Sequence, residues 1–138
     1  AQTDYLGRIP HGEVAKQMAH CRAGVALLRP GKNTNGHSGT MGNTKIFEEM
    51  MAGLPVICTD FSLWRGFVER YHCGVCVDPE DVDQVVLALR RLLEHPEEAR
   101  QMGENGRRAV REAFNWSVEE QTLLGLYRDL SGSCDKGR

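Results

Sequence analysis

The sequence predicts an α/β protein: a partial parallel sheet of three or four short strands covered by helices, followed by an all-helical final third. Three observations predict it. Short apolar runs bounded by glycine or proline alternate with helix-length segments, the pattern of strand–helix–strand units. The run Gly24-Val25-Ala26-Leu27-Leu28 is apolar throughout, as a strand covered on both faces requires. From Val82 onward apolar residues recur at helical spacing, with no strand-like alternation.

The elements follow in order. Residues 3–6 suggest a short strand halted at Gly7, and Glu13 to Cys21 a helix with Val14, Met18 and Cys21 along one stripe. After the strand at 24–28 a long loop runs from Arg29 to about Asn43. Thr44 to Ala52 reads as a helix, stopped by Gly53 and Pro55: glycine ends a last turn without strain, and proline cannot continue it. Val56 to Cys58 is a second buried strand, Leu63 to Arg70 a short helix, and Gly74 to Val77 a third buried strand. Val82, Val85, Val86, Leu89, Leu92 and Leu93 mark the inward stripe of a helix, and Pro96 opens another that reaches about Phe114. Ser117 and Glu120 form a capping box for a last helix striped by Leu123, Leu126, Tyr127 and Leu130. Residues 1–130 are expected to form one incomplete domain, and 131–138 a disordered tail.

Composition narrows the function. The chain has 138 residues, enough for one ordinary domain, with 41% hydrophobic and 26% charged residues. The formal charge of −2 gives no pull toward nucleic acid, and the arginines at 90, 91, 100, 107, 108 and 111 alternate with glutamates as on a solvated helix face. No apolar run approaches the ~18 residues of a membrane span. The five cysteines are odd in number and scattered, which points to a reducing cytoplasm rather than a disulfide scaffold. The five histidines show no metal-ligand spacing, so no metal is expected. Cys73-Gly74-Val75-Cys76 has redox or zinc spacing, but it overlaps a buried strand and has no second pair, which favours structural thiols.

In open α/β sheets ligands bind beyond the carboxyl ends of the strands. The loop after the 24–28 strand leaves from that end and carries Gly31, Gly36, Gly39 and Gly42 among Asn33, Asn35 and Asn43. It enters the N-terminus of the 44–52 helix, a natural anion site. Gly39, Thr40, Met41, Gly42, Asn43, Thr44 and Lys45 are therefore the phosphate-facing candidates; the competing reading is a solvated surface loop. Either Glu48 or Glu49 should face the crevice and accept hydrogen bonds from sugar or ribose hydroxyls; a solvated glutamate near a helix start is the alternative. Trp64 and Arg65 either line the crevice or pack the short helix, and His37 lies in the glycine loop.

These residues carry a resemblance. Asn43-Thr44-Lys45-Ile46-Phe47-Glu48-Glu49-Met50-Met51-Ala52-Gly53-Leu54-Pro55-Val56-Ile57 resembles the N/T-K-L-F-E-Y-M-A-x-G-x-P-V-I signature of the two-domain, retaining GT-B glycosyltransferases (glycosyl transferases group one). Thr59-Asp60-Phe61 with Leu63-Trp64-Arg65 continues the match. Cys73 to Pro79 is similar to the family's C-G-I-x-V-x-P strand. Met102 to Arg107 and Phe114-Asn115-Trp116-Ser117 are similar to its C-terminal helices, and Tyr5 to His11 to its F-x-G-x-V-x-H segment. The motifs span nearly the whole chain in the family's order.

The resemblance implies the C-terminal, Rossmann-like donor domain of such an enzyme, binding a UDP- or GDP-sugar as substrate with no permanently bound cofactor. It aligns Glu48 with the glutamate that grips the ribose hydroxyls. The family's other glutamate falls at Thr40, so a carboxylate contact to the donor sugar is replaced there, with backbone N–H groups of 39–42 as substitutes. The acceptor, a glycan or lipid-linked sugar, would be held mostly by an N-terminal domain outside this sequence. Any docking at the inner membrane face would also fall to that domain. Two upstream strands of the usual 3-2-1-4-5-6 order are also expected outside it, leaving residues 3–6 without their sheet neighbours. The chain is thus expected to be a fragment inactive alone. Two alternatives remain: a non-catalytic nucleotide- or sugar-binding module, and a related GT-B nucleotide-sugar enzyme such as an epimerase.

Overall fold

The computed structural model describes residues 3–134. Three parallel strands, β1 (Gly24–Ala26), β2 (Val56–Thr59) and β3 (Gly74–Val77), pair in the order β1-β2-β3. Six helices accompany them: α1 (His11–Met18), α2 (Thr44–Met51), α3 (Ser62–Tyr71), α4 (Val82–Glu94), α5 (Pro96–Ala113) and α6 (Trp116–Cys134). The register sets Gly24 beside Val56, and Val56 beside Gly74.

Successive strand residues point to opposite faces, so β2 divides the core in two. Val56 and Cys58 join Ala26, Ile46, Met50, Phe61, Trp64, Phe67, Val68 and Ala109 beneath α2, α3 and α5. Ile57 joins Val77, Ala88, Leu92 and Ala99 beneath α4 and the start of α5. All four residues of β2 are buried, which explains its unbroken apolar run apart from Thr59. Phe47, Phe67, Tyr71 and Phe114 close the first core in tilted and edge-on ring contacts. Close backbone approach also fixes α5: a Cβ on Gly103 would lie 2.0 Å from the Gly53 carbonyl oxygen.

Several expectations are corrected. Residues 3–6 form no strand, and Tyr5 is 91% exposed; the segment has no sheet neighbour here. The first helix begins at His11, two residues early, and buries none of its residues. On α4 the inward stripe is Val85, Ala88, Leu89 and Leu92, while Val82 and Leu93 point outward. The cap of α6 is Asn115, whose side-chain oxygen accepts from the Val118 amide at 3.2 Å, in place of Ser117. α6 continues to Cys134, beyond the boundary expected at 130, and residues 135–138 lie outside the described residues.

Candidate functional site

The loop from Arg29 to Asn43 is built, not slack. At its root the Thr59 hydroxyl, on a buried residue of β2, accepts from the Leu28 amide at 2.7 Å and donates to the Leu28 carbonyl at 2.8 Å. A single 3₁₀ turn at Lys32–Thr34 follows. The buried Thr34 hydroxyl accepts from the Gly31 amide and reaches the Gly31 and Gly36 carbonyls, closing a small internal bridge between the two glycines. Farther on, the loop caps α3: the Ser62 and Leu63 amides donate to the carbonyls of His37 and Ser38. Those two amides are among the helix-start donors that lack an intrahelical partner, so one set of bonds satisfies the helix and fixes the loop.

Gly39 has a φ of +81° and packs where a Cβ would lie 2.9 Å from Phe61 and 3.1 Å from the Trp64 indole nitrogen. No other residue fits that slot, and the positive φ favours glycine. Trp64 therefore packs rather than lining a crevice: it is 1% exposed, and its Nε1–H donates to the Thr40 carbonyl at 3.0 Å. Arg65 pairs with Asp60. Among the expected phosphate-facing residues, Gly39 is thus committed to packing. The Gly42 amide is occupied by the Thr40 hydroxyl at 3.1 Å. Met41, Thr44 and Lys45 are exposed.

Leu28, Asn33, Thr40, Gly42, Asn43, Thr44 and Lys45 line an open hollow at the start of α2. Asn43 precedes the helix without a side-chain capping bond, so the first-turn N–H groups face this hollow with their positive dipole end. Lys45 and Glu48 lie one turn apart on α2, which places them on neighbouring surface. Glu48 is half-exposed, and its Oε1 lies 3.3 Å from His11 Nε2. These two residues, with Val14, Met18, Met51 and Arg107, border a groove of about 420 Å³ between α1 and α2. An exposed pair of this kind contributes little stability, which leaves the carboxylate available to a ligand.

Glu49 does not share the crevice. It is 4% exposed, and its Oε2 is buried without a hydrogen-bond partner among the described residues. Its carboxyl fills the space beside Gly24, where a Cβ would meet it at 2.5 Å. Burial pushes its pKa up to about 7, while the Lys45 charge and the Val25 backbone pull it down. The sequence pattern treated Glu48 and Glu49 as equivalent; helical rotation separates them, with Glu49 on the face that also buries Ile46 and Met50. Thr59 and Thr34 were missed, because a hydroxyl that clamps a backbone carries no periodic signal. A lone threonine closing an otherwise apolar strand was the available hint.

Residues 2–125 match the family described as Glycosyl transferase-like. The chain belongs to the glycosyl transferase family. The MMP α-(1→4)-mannosyltransferase of Mycolicibacterium hassiacum is 38% identical to this glycosyltransferase chain over 78 residues, which are 55% of the chain and 19% of that protein. The sucrose-phosphate synthase of Thermosynechococcus elongatus superposes with a TM-score of 0.75 at 27% identity, over 94% of this chain and 30% of the synthase. The fold is that of a GT-B glycosyltransferase, and the chain corresponds to less than a third of each relative. No helix among the described residues is long and apolar enough to cross a membrane. No cluster of three or more metal-ligating side chains occurs among them either.

Proposed function

We propose that this glycosyltransferase chain is the donor-binding part of a retaining enzyme that transfers a sugar from a nucleoside-diphosphate sugar to a glycan or lipid-linked acceptor. The carrying observation is the braced glycine loop delivering the uncapped start of α2, with Lys45 and Glu48 one turn apart beside it. The leaving diphosphate develops charge as the glycosidic bond breaks, and fixed N–H dipoles with one cation stabilise that charge without reorganising. In this reading the first-turn amides of α2 and Lys45 face the phosphates, and Glu48 accepts from the ribose hydroxyls. UDP- and GDP-sugars are the proposed donors. Acceptor binding belongs to a domain outside this chain, so the chain alone should not turn over. The mannosyltransferase relative supports a hexose as the transferred group.

The test is an NMR titration of the chain with UDP, GDP and ADP, repeated with Glu48→Ala. Amide shifts confined to residues 40–48 for one base, and lost in the variant, are expected. Silence with all three at millimolar nucleotide would overturn the reading. Thr40, which stands where the family resemblance implies a second glutamate, favours a second reading: a module that binds a nucleotide and has lost transfer. Binding by a parent enzyme that shows no turnover on any acceptor would select it.

A further inference from the structure

Cys58 on β2 stands directly opposite Cys76 on β3, and their sulfurs lie 3.8 Å apart. Paired residues on adjacent strands project from the same face, with backbones about 4.8 Å apart. That spacing falls inside the Cα separation of roughly 4.4–6.8 Å that a disulfide tolerates. The C-x-x-C spacing in the sequence is misleading here. The Cys73 carbonyl already accepts a ladder bond from the Val56 amide, so the chain from Cys73 to Cys76 is extended. Three extended residues span about 10 Å, too far for a bond between those two thiols. The partner that geometry gives Cys76 lies on the neighbouring strand, eighteen residues earlier.

Access is unequal. Cys58 is buried, whereas Cys76 is partly exposed on the outer strand. It borders a surface cleft of about 390 Å³ with Asp60, Arg65, Glu69, His72 and Arg91. The thiol–thiol hydrogen bond with Cys58 is the largest influence on Cys76 and holds its thiol below the ordinary range; Arg65 lowers it further, while burial, Asp60 and Glu69 act against them. The same hydrogen bond and burial push Cys58 up. One thiol is therefore open and ionises more readily, while the other is shielded and within reach of it.

We propose that Cys58 and Cys76 are a redox pair, in which hydrogen peroxide oxidises Cys76 and Cys58 closes a disulfide between β2 and β3. The Cys76 thiolate attacks one peroxide oxygen, and the O–O bond breaks. The departing hydroxide takes up the proton that Cys76 gave to solvent on ionising and leaves as water, and Cys76 becomes a sulfenic acid. The Cys58 sulfur then attacks the sulfenic sulfur. An S–S bond forms, the S–O bond breaks, and the hydroxyl leaves as a second water with the Cys58 proton. Two thiols are oxidised, and one peroxide is reduced to two waters. In a reducing compartment the pair rests as dithiol and the cross-link is transient. It forms one residue from Thr59, beside the root of the glycine loop.

The experiment exposes the folded chain to hydrogen peroxide at neutral pH, alkylates it under denaturing conditions and maps its peptides without reduction. Expected is a peptide containing Cys58 joined to the one containing Cys73 and Cys76, two hydrogens lighter than their sum and released by dithiothreitol. The link should persist in Cys73→Ser and vanish in Cys76→Ser. In Cys58→Ser, a dimedone-trappable sulfenic acid should accumulate at Cys76. A link that survives Cys76→Ser but not Cys73→Ser would overturn the proposal. So would wild-type protein in which the exposed Cys21 is fully oxidised while Cys58 and Cys76 remain alkylatable.

Discussion

Replacing Glu49 by glutamine removes a charge from the inner face of α2 while keeping the shape of the side chain. In the folded chain this carboxyl is 4% exposed, and its pKa is raised from 4.5 to about 7, burial being the largest cause. The group therefore binds its proton more tightly in the native state than in the unfolded one. Its contribution is most favourable below the unfolded pKa and is lost as pH rises through the folded pKa. Between pH 5 and pH 8 the shift corresponds to a loss of about 2.5 kcal/mol in the wild type, since each unit is ~1.4 kcal/mol. Glutamine cannot ionise, so the variant escapes this loss. Denaturant unfolding of both proteins at pH 5, 6, 7 and 8 checks it. The stability difference, variant minus wild type, should climb by about 2.5 kcal/mol across the series. Because other titrating groups cancel in the difference, a pH-independent offset would refute the reasoning, whatever its sign. It would mean that Glu49 is hydrated in solution or paired with Lys45 closely enough to stay ionised.

Four substitutions test the framework around the site. Thr59→Val strips the hydroxyl from the root of the loop and leaves the Leu28 amide and carbonyl without their partner, an expected loss of about 1–3 kcal/mol in chemical denaturation. Trp64→Phe keeps a ring but removes the bond to the Thr40 carbonyl; amide exchange at 39–42 should accelerate, with a stability loss of about 1–3 kcal/mol. Gly103→Ala drives a methyl to 2.0 Å from the Gly53 carbonyl oxygen, where only backbone movement relieves it, so thermal unfolding should show a cost of about 1–3 kcal/mol or more. Gly66→Ala, within α3 and with nothing near its Cβ position, should instead stabilise by up to about 1 kcal/mol through helix propensity. Equal losses for the two glycine variants would show that the α5 contact does not set the difference.

The buried strands were legible because a strand covered on both faces has a continuous apolar signature, and β1, β2 and β3 all fall within a residue or two of their expected positions. α2 was legible through its Gly53-Pro55 stop. Residues 3–6 form no strand because a short run ended by a glycine still needs a sheet neighbour, which this segment lacks among the described residues. The cap at Asn115 was displaced from Ser117 because two acceptor side chains stand two positions apart, and only the backbone path chooses between them. The loop that carries the candidate residues leaves from the carboxyl end of β1, as chain order requires. Its bracing is not legible, since Thr34, Thr59 and Trp64 act through side-chain-to-backbone bonds that leave no periodic trace.

The helix at the centre of the site has two jobs that its eight residues divide by face. Ile46, Glu49 and Met50 turn inward and tie α2 to the sheet, while Thr44 and Lys45 turn toward the loop and Glu48 toward α1. The two faces are coupled by charge. Lys45 draws the Glu49 pKa down and Glu48 pushes it up, so placing an anion beside Lys45 would screen the first influence. A bound diphosphate should therefore raise the Glu49 pKa further, and by reciprocity a protonated Glu49 should favour the diphosphate. Nucleotide affinity would then weaken as pH rises past neutrality in the wild type and lose that slope in Glu49→Gln. A pyrophosphate titration by calorimetry between pH 6 and pH 8 measures it. Parallel slopes in the two proteins would show that α2 keeps its inner and outer faces electrically independent.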